Sequence, residues 1–588
     1  MTPYNLVTCD IEQTMITCHV FERLTFKGLS TFFIITVIAF FTQCESGDAA
    51  TTGEESDQIN ILGSESFGHV GFSHTFGTPE TPFWLHANRD GRIPLHSGNN
   101  LLIFGGYHTA FLRKSDVVDL DAGFRLDSRL SDADNALKFT ELYTHFRAYG
   151  WKLSAGRFYD TIGLNSGYLT TGSLMMSRNA LQPFKLRLST HDFLPVPLTG
   201  NHFSFKARWS EAFLTDNRFV SNARIHQKYL YLKLQPVKEI HLIGGIVHNL
   251  MWGGMHPEMG RLHGTFDDWL NDVLGQPDDR VFGNRSPLGN GLGAYDFGAE
   301  YRGRTWSAGA YRMFYIEDRE SIHIRSPWDG MWGGFLDLHD GERPHRLINY
   351  ITYEHINTKK QDAGTGDALG RARYYSHNLW RDGWVHHGLV LGNPLILIDP
   401  EKMGSRERII VNNIILGHHV GLAGNFDGNL SYELLATYSR NYGICNDQTS
   451  GGSCRGSEEN PVQLREDYVP FHELRRDRYS LLFKLAFPVS VLLDAVMPSG
   501  LSGTTGISGN TPTSGVASVN SSGTSTSTGA FAVSGRSHPA SGYMQTASGR
   551  SHAGYGRGLQ MYISVALDAG EFHSRPLFGF ELGISMSL

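Results

Sequence analysis

Hydrophobic residues fall on every second position over long stretches of this chain. In the closing segment FGFELGISMSL, Phe578, Phe580, Leu582, Ile584, Met586 and Leu588 lie on one side, with Gly579, Glu581, Gly583, Ser585 and Ser587 on the other. The preceding GLQMYISVALD sets Leu559, Met561, Ile563, Val565 and Leu567 against Gln560, Tyr562, Ser564, Ala566 and Asp568. YSLLFKLAF, HFSFKARWS and ELYTHFRAY repeat the pattern earlier in the chain, the last with Leu142, Thr144, Phe146 and Ala148 opposite Glu141, Tyr143, His145 and Arg147. Successive side chains of an extended strand point to opposite faces, so each stretch predicts a strand with one apolar and one polar face.

The length of these rows separates two kinds of β protein. Five or six alternating apolar positions match the roughly 9 to 11 residues with which a tilted strand crosses a bilayer, whereas soluble strands average about 5 to 6. Aromatic residues at strand ends, such as Tyr479, Phe487 and Phe578, fit interfacial girdles. Lys206, Arg208, Glu141 and Arg147 on the opposite faces would be costly in a dry core and ordinary in a wet lumen. A soluble propeller would need a fixed repeat of roughly 40 to 50 residues, and none is seen. The expected fold is all-β: a large antiparallel transmembrane β-barrel of roughly 16 to 18 strands with short helical loop elements.

Three regions depart from alternation. TFDDWLNDVLGQPDD (265–279) has a capping Thr265, the early acids Asp267 and Asp268, and apolar Trp269, Leu270, Val273 and Leu274, which predicts a short amphipathic helix in a loop. Residues 499–556 are dominated by Gly, Ser and Thr and read as a disordered insert, since they bury too little apolar surface to offset ordering entropy. Counting strands back from the end puts this insert on the periplasmic side. Near the start, the apolar run Leu29–Phe41 follows Arg23 and Lys27 and precedes small and acidic residues, the pattern of a secretory signal with an unusual extension in which Met15 is a candidate start. Gln43 before Cys44 argues against lipid attachment. The expected organisation is a signal over 1–49, a periplasmic segment over 50–98 entering the barrel, the barrel over 99–498, the insert, and two last strands over 557–588.

Composition agrees. Charged residues make up 19% of the 588, with 67 Gly, 24 Tyr and 35 Phe, a profile that suits β structure. A net charge of -7 argues against nucleic acid as a partner. Cys445 and Cys454 flank the polar loop NDQTSGGS and form a disulfide candidate in an oxidising compartment.

The densest non-periodic passage is GRFYDTIGLNSGYLTTGSLMMSRNALQPFKLRLST, residues 156–190, with Asn165, Ser177, Arg178 and Asn179 among its glycines. It reads as a structured excursion between strands. This passage resembles the signature of the capsule-assembly Wzi family. PFWLHANRDGRIP (82–94), HNLMWGG (248–254), NGLGAYDFGAEY (290–301), HNLWRDGWVHHGLVLGNPLI (377–396) and NNIILGHHVGLAG (412–424) resemble further family motifs in the same order. A final Leu588 in place of an aromatic, the insert and the leader depart from the pattern. The resemblance implies an outer-membrane barrel of about 18 strands with a periplasmic helical element, loops at the cell surface, and a lectin-like, non-catalytic role in holding capsular polysaccharide. Capsular or exopolysaccharide, outer-membrane lipid and the barrel-assembly machinery are the expected partners, and no cofactor is expected.

Sugar rings stack on aromatic faces and are fixed by planar polar groups. On that chemistry Trp380, Arg381, Asp382 and Trp384, with Trp328 and Trp332, are the glycan-binding candidates; loop packing is the competing role for each tryptophan. His386 and His387, like His418 and His419, are sequence neighbours that face opposite ways on a strand, so neither pair jointly chelates a metal. Asp267, Asp268, Asp278 and Asp279 lack the spacing of a glycosidase pair. Two rival functions follow: a diffusion porin with a lumen lined by Arg147, Lys206 and Arg208, and a carbohydrate-active enzyme.

Overall fold

The computed structural model describes residues 66–114, 118–165, 169–262, 265–273, 289–317, 323–324, 326–338, 347–361, 373–426, 430–444, 476–490 and 558–587. Within them the alternating stretches become wall strands: β1 (Phe67–Gly77), β2 (Asn99–Lys114), β3 (Val118–Ser131), β4 (Ala136–Ala148), β5 (Trp151–Arg157), β6 (Phe184–Thr190), β7 (Phe203–Phe213), β8 (Arg224–Val237) and β9 (Ile240–Trp252). The second half comprises β10 (Asn290–Arg302), β11 (Trp306–Ile316), β12 (Gly330–Leu338), β13 (Tyr350–Asn357), β14 (Ile415–Asn425), β15 (Ser431–Asn441), β16 (Arg476–Pro488), β17 (Gly558–Gly570) and β18 (Leu577–Ser587). The two-residue segment Leu194–Pro195 pairs with β7 beside β6. Each strand pairs antiparallel with its neighbours, and β1 pairs with β18 from His69↔Ser587 to Gly77↔Gly579, closing an 18-strand barrel. Closure leaves no free edge, the condition for backbone to cross lipid.

The two faces follow the expected parity. On β18, Phe578 and Phe580 are exposed outward while Glu581 is buried inward; on β7, Phe203 and Trp209 face out and Ser204, Arg208 and Ser210 face in. Aromatic residues gather outside at both rims. Trp151, Phe203 and the Tyr301–Trp306 pair (4.4 Å between ring centroids) mark one rim, and Phe213, Trp332, Tyr479 and Phe578 the other. These belts flank an apolar band, as an interfacial girdle requires.

The connections differ between the two ends. β4–β5, β8–β9 and β10–β11 are joined by two- or three-residue turns at one end, where the first and last strands also have their outer termini. Opposite them, β1–β2, β5–β6, β9–β10 and β13–β14 are joined by long loops. The expected periplasmic segment 50–98 divides differently: β1 already crosses at Phe67–Gly77, and the following loop carries helix α1 (Phe83–His86), which is buried inside the barrel. Four apolar or aromatic residues in a row cannot stay in water, and the lumen offers Leu482 and Ala566 as apolar ground.

Helix α2 (Phe266–Val273) forms as expected. Thr265 Oγ1 accepts from the Asp268 amide (3.2 Å) and donates to Asp268 Oδ2 (2.6 Å), a reciprocal cap. The helix lies on the outer wall, where Trp269 Nε1 donates to Glu211 Oε1 (2.9 Å) and Trp252 Nε1 to Glu211 Oε2 (3.2 Å). The Cys445–Cys454 pair, Asp278, Asp279, the leader and the 499–556 stretch lie outside the described residues. The strands bordering that stretch, β16 and β17, end and begin at the short-turn end.

Candidate functional site

Long loops return into the lumen because the inward rows supply carboxylates for them to dock on. Asp160, just beyond β5, receives Lys185 Nζ (2.9 Å), Arg187 Nη1 (3.1 Å) and Arg208 Nη2 (2.7 Å) from β6 and β7. Burial alone would raise its pKa; Arg208, Lys185 and Arg187 outweigh burial and hold it well below the usual carboxylate range. Further along the same loop, Leu164 N donates to Asp296 Oδ2 (2.8 Å), and Thr171 donates through N and Oγ1 to Glu354 Oε2 (2.6 Å each). Phe83 N donates to Asp568 Oδ2 (2.9 Å), and Arg89 Nη1 reaches both oxygens of Glu581 at 2.8 Å. Charge-assisted bonds of this kind are roughly twice as strong as neutral ones. Between them Leu174, Met175 and Met176 pack on Ile225, Val247 and Met313, so an apolar core fills the long-loop half of the lumen.

The motif residues of 156–190 join loops to one another. Ser177 N donates to Leu391 O (2.8 Å) and Ser177 Oγ to Gly392 O (2.5 Å), while Asn179 Nδ2 donates to Val390 O (3.0 Å). Arg178 grips Asp90 through Nε (3.1 Å) and Nη2 (2.5 Å), and Asp90 N donates back to Arg178 O (2.6 Å). Asn165 is buried at the edge of a lumen cavity. The described parts of loops 78–98, 158–183 and 358–414 are thereby locked together.

The tryptophan-rich stretch 377–396 is built into this assembly. Trp380 and Trp384 are only 3% and 1% exposed, and Trp380 Nε1 donates to Gly253 O (3.2 Å). Asp382 is buried as well, accepting from the amides of Phe219 (2.6 Å) and Gly404 (2.8 Å). No sugar reaches the face of such a ring, so Trp380 and Trp384 take the loop-packing role that competes with binding for each tryptophan, and Asp382, expected as a glycan contact, instead ties loop amides together. Trp332 stands on the outer wall of β12, where the Arg312 guanidinium lies 4.9 Å from its ring centroid, and belongs to the aromatic belt. Trp328 is different: it is 60% exposed at the long-loop end. Adjacent His386 and His387 do not face opposite ways as expected: the segment is no regular wall strand, and their rings meet edge to face at 4.4 Å, His386 buried with Nδ1 donating to Leu181 O (2.6 Å) and His387 exposed.

Arg381 has two companions that the sequence left unremarked. Arg373 Nη1 (2.8 Å) and Arg408 Nη2 (2.9 Å) both donate to Asn378 Oδ1. Packing around the ring, then the charges of Arg373, Arg381 and Arg408, push His377 down to about 4. Burial and then the same crowding by Arg373 and Arg381 pull Arg408 down to about 10. Asp329, next to Trp328, accepts from the Tyr374 hydroxyl (2.8 Å), which ties the exposed indole's loop to the arginine-bearing one. Two guanidiniums on one amide oxygen, with the Arg381 charge close by and an open indole on the joined loop, can hold a carboxylated sugar by charge and by stacking.

The sequence profile described as capsule assembly protein Wzi matches residues 91–395. No curated protein matches the chain. Among solved structures, the chain is similar to Wzi of Escherichia coli, described as an outer-membrane carbohydrate-binding β-barrel involved in group 1 capsule assembly; identity is 12%, coverage 88% of this chain and 84% of that one, and TM-score 0.45. It is also similar to OccD3 of Pseudomonas aeruginosa (8% identity, 90% and 93% covered, TM-score 0.39) and to OprD of the same organism (8%, 90% and 97%, 0.36).

Proposed function

Because the chain belongs to the capsule-assembly Wzi family, we propose that it is an outer-membrane barrel that binds capsular or extracellular polysaccharide at its long-loop end and holds it at the cell surface without cleaving it. Long loops face outward and short turns face the periplasm in barrels of this kind. The observation that carries the reading is the arginine cluster Arg373, Arg381 and Arg408, on a loop that Tyr374 ties through Asp329 to the one bearing exposed Trp328, both set against a filled lumen. One such site binds weakly. A polymer offers it the same unit many times, and an array of barrels multiplies the contacts, so retention grows without any single tight site.

The lumen argues against the diffusion-porin alternative, since loop residues pack apolar cores where solute would pass. The enzymatic alternative predicts oligosaccharide release from purified capsule, and the proposal predicts intact polymer.

Replacing Arg373, Arg381 and Arg408 with Gln, together with Trp328→Ala, tests the site. The variant is expected to keep the heat-modifiable gel mobility of a folded barrel and to shed polysaccharide into the medium. Unchanged cell-bound capsule in a folded variant would count against the site.

A further inference from the structure

Two outward rows of the wall each carry one histidine among apolar and aromatic neighbours: Ile351, Tyr353 and His355 on β13, and Leu416, His418, Val420 and Leu422 on β14. Register sets these two side by side. Trp332 of β12 stands opposite His355, His355 opposite His418, His418 opposite Tyr438 of β15, and Tyr438 opposite Tyr479 of β16. Trp332 and Tyr479 belong to the aromatic belt of the long-loop end, so the histidines lie at the same height, where such belts meet the lipid headgroups.

Directly opposite residues of an antiparallel pair place their Cβ atoms about 4.5–5.5 Å apart. The two imidazole centroids here are 4.6 Å apart, with the ring planes at 34°. Both rings are anchored by the same atom. His355 Nδ1 lies 3.1 Å from Gly417 O, a carbonyl that only accepts, so the ring proton sits on Nδ1 and Nε2 keeps its lone pair. His418 Nδ1 lies 2.9 Å from the Tyr353 hydroxyl, and with that oxygen accepting, its Nε2 carries a lone pair too. Metal-binding histidines are oriented in this way, one ring nitrogen donating to an oxygen and the other turned to the ion. Neither Nε2 has a hydrogen-bond partner among the described residues. The nearby cations are turned elsewhere: Arg312 donates to the carbonyls of Met313 (2.7 Å), Pro327 (2.6 Å) and Asp329 (2.8 Å), and Arg440 is held by Asp477 (2.9 Å).

Two nitrogens bound to one ion at about 2.1 Å each stand roughly 3 to 4 Å apart, within the swing of two half-buried rings placed like these. We propose that His355 and His418 form a surface site for a late divalent transition metal, each giving Nε2. The partner of His418 is thus across the strand pair and not its sequence neighbour, since His419 faces inward and is tied to Thr437 Oγ1 (2.8 Å) and Leu169 O (2.6 Å). No third histidine, cysteine or carboxylate joins the two among the described residues, so the remaining positions of the ion are open to water and to headgroup oxygens. Imidazole nitrogen favours Cu2+, Ni2+ and Zn2+ over Mg2+ and Ca2+, with Cu2+ held most tightly.

The test uses the full chain, purified in detergent without a histidine tag and titrated by calorimetry with Cu2+, Zn2+ and Mg2+, with the copper form read by electron paramagnetic resonance. Cu2+ is expected to bind more tightly than Zn2+, Mg2+ to give no binding heat, and the native copper spectrum to show two imidazole nitrogens. H355Q and H418Q are each expected to lose at least tenfold in Cu2+ affinity, because one ligand cannot chelate, at unchanged heat-modifiable mobility. H387Q, at an exposed histidine elsewhere, is expected to bind like the native protein. No binding by the native chain, a native spectrum with fewer than two imidazole nitrogens, equal binding of Mg2+, or unchanged affinity in folded H355Q/H418Q would each overturn the site. Loss in H387Q in place of the wall variants would move the metal to the loops and refute the inference as well.

Discussion

At the scale of single residues, buried carboxylates decide how the interior is organised. Asp160 faces three cations that are themselves buried. Removing one partner of such a cluster leaves uncompensated charge and costs roughly 3–5 kcal/mol. Asp160→Asn is therefore expected to lower the denaturant midpoint of the folded protein, and an unchanged midpoint would show the cluster to be energetically idle. Its acid sensitivity has a definite sign. A carboxylate whose folded pKa is depressed stabilises the fold fully above its unfolded value, about 3.9, and loses that contribution only as pH falls below it. Buried histidines of the loops act earlier. Burial pushes His86 and His386 down to about 3, so both stay neutral in the folded loops while the unfolded chain takes up protons below about 6.5. Loop stability is expected to fall as pH drops from 6.5 toward 4, visible as rising protease sensitivity of the loops in intact membranes. These pairings were not legible in the sequence: Arg208 lies 48 positions from Asp160, and any inward charge in a period-two row looks like any other.

At the scale of elements, strands were readable and loops were not. Alternation fixed which face of β4, β7, β16, β17 and β18 meets lipid, because a strand has only two faces and the bilayer selects one of them. Helix α2 was readable from its cap and apolar spacing, although nothing local announced that Glu211 would receive Trp269 and Trp252 on the outer wall. The stretch 377–396 misled for a physical reason: tryptophans among charges compose a binding surface and a polar-lined loop core equally well, and only the tertiary fold separates the two. Its shape depends on Gly383, whose φ is +53° and where an added Cβ would stand 2.0 Å from Tyr375 O. Gly383→Ala is expected to unlock loop 373–414 while leaving the wall intact. Limited proteolysis should then cut within that loop at unchanged heat-modifiable mobility, and an uncut loop would refute this role for the glycine.

At the scale of the whole molecule, a closed wall and a packed plug make a barrel that displays rather than conducts. The native protein is expected to give no steady conductance in a planar bilayer, and deletion of 158–183 is expected to open one; a conducting native barrel would revive the porin alternative. The plug also carries a message about timing. Arg89 meets its partner Glu581 across 492 positions of chain, and Phe83 meets Asp568 across 485. A segment near the amino terminus thus cannot settle until the carboxyl-terminal hairpin has been delivered. On these contacts the seal would come last in biogenesis, and a chain stalled before its final two strands would leave apolar Phe83, Trp84 and Leu85 without the Asp568 anchor, open to whatever escort receives it.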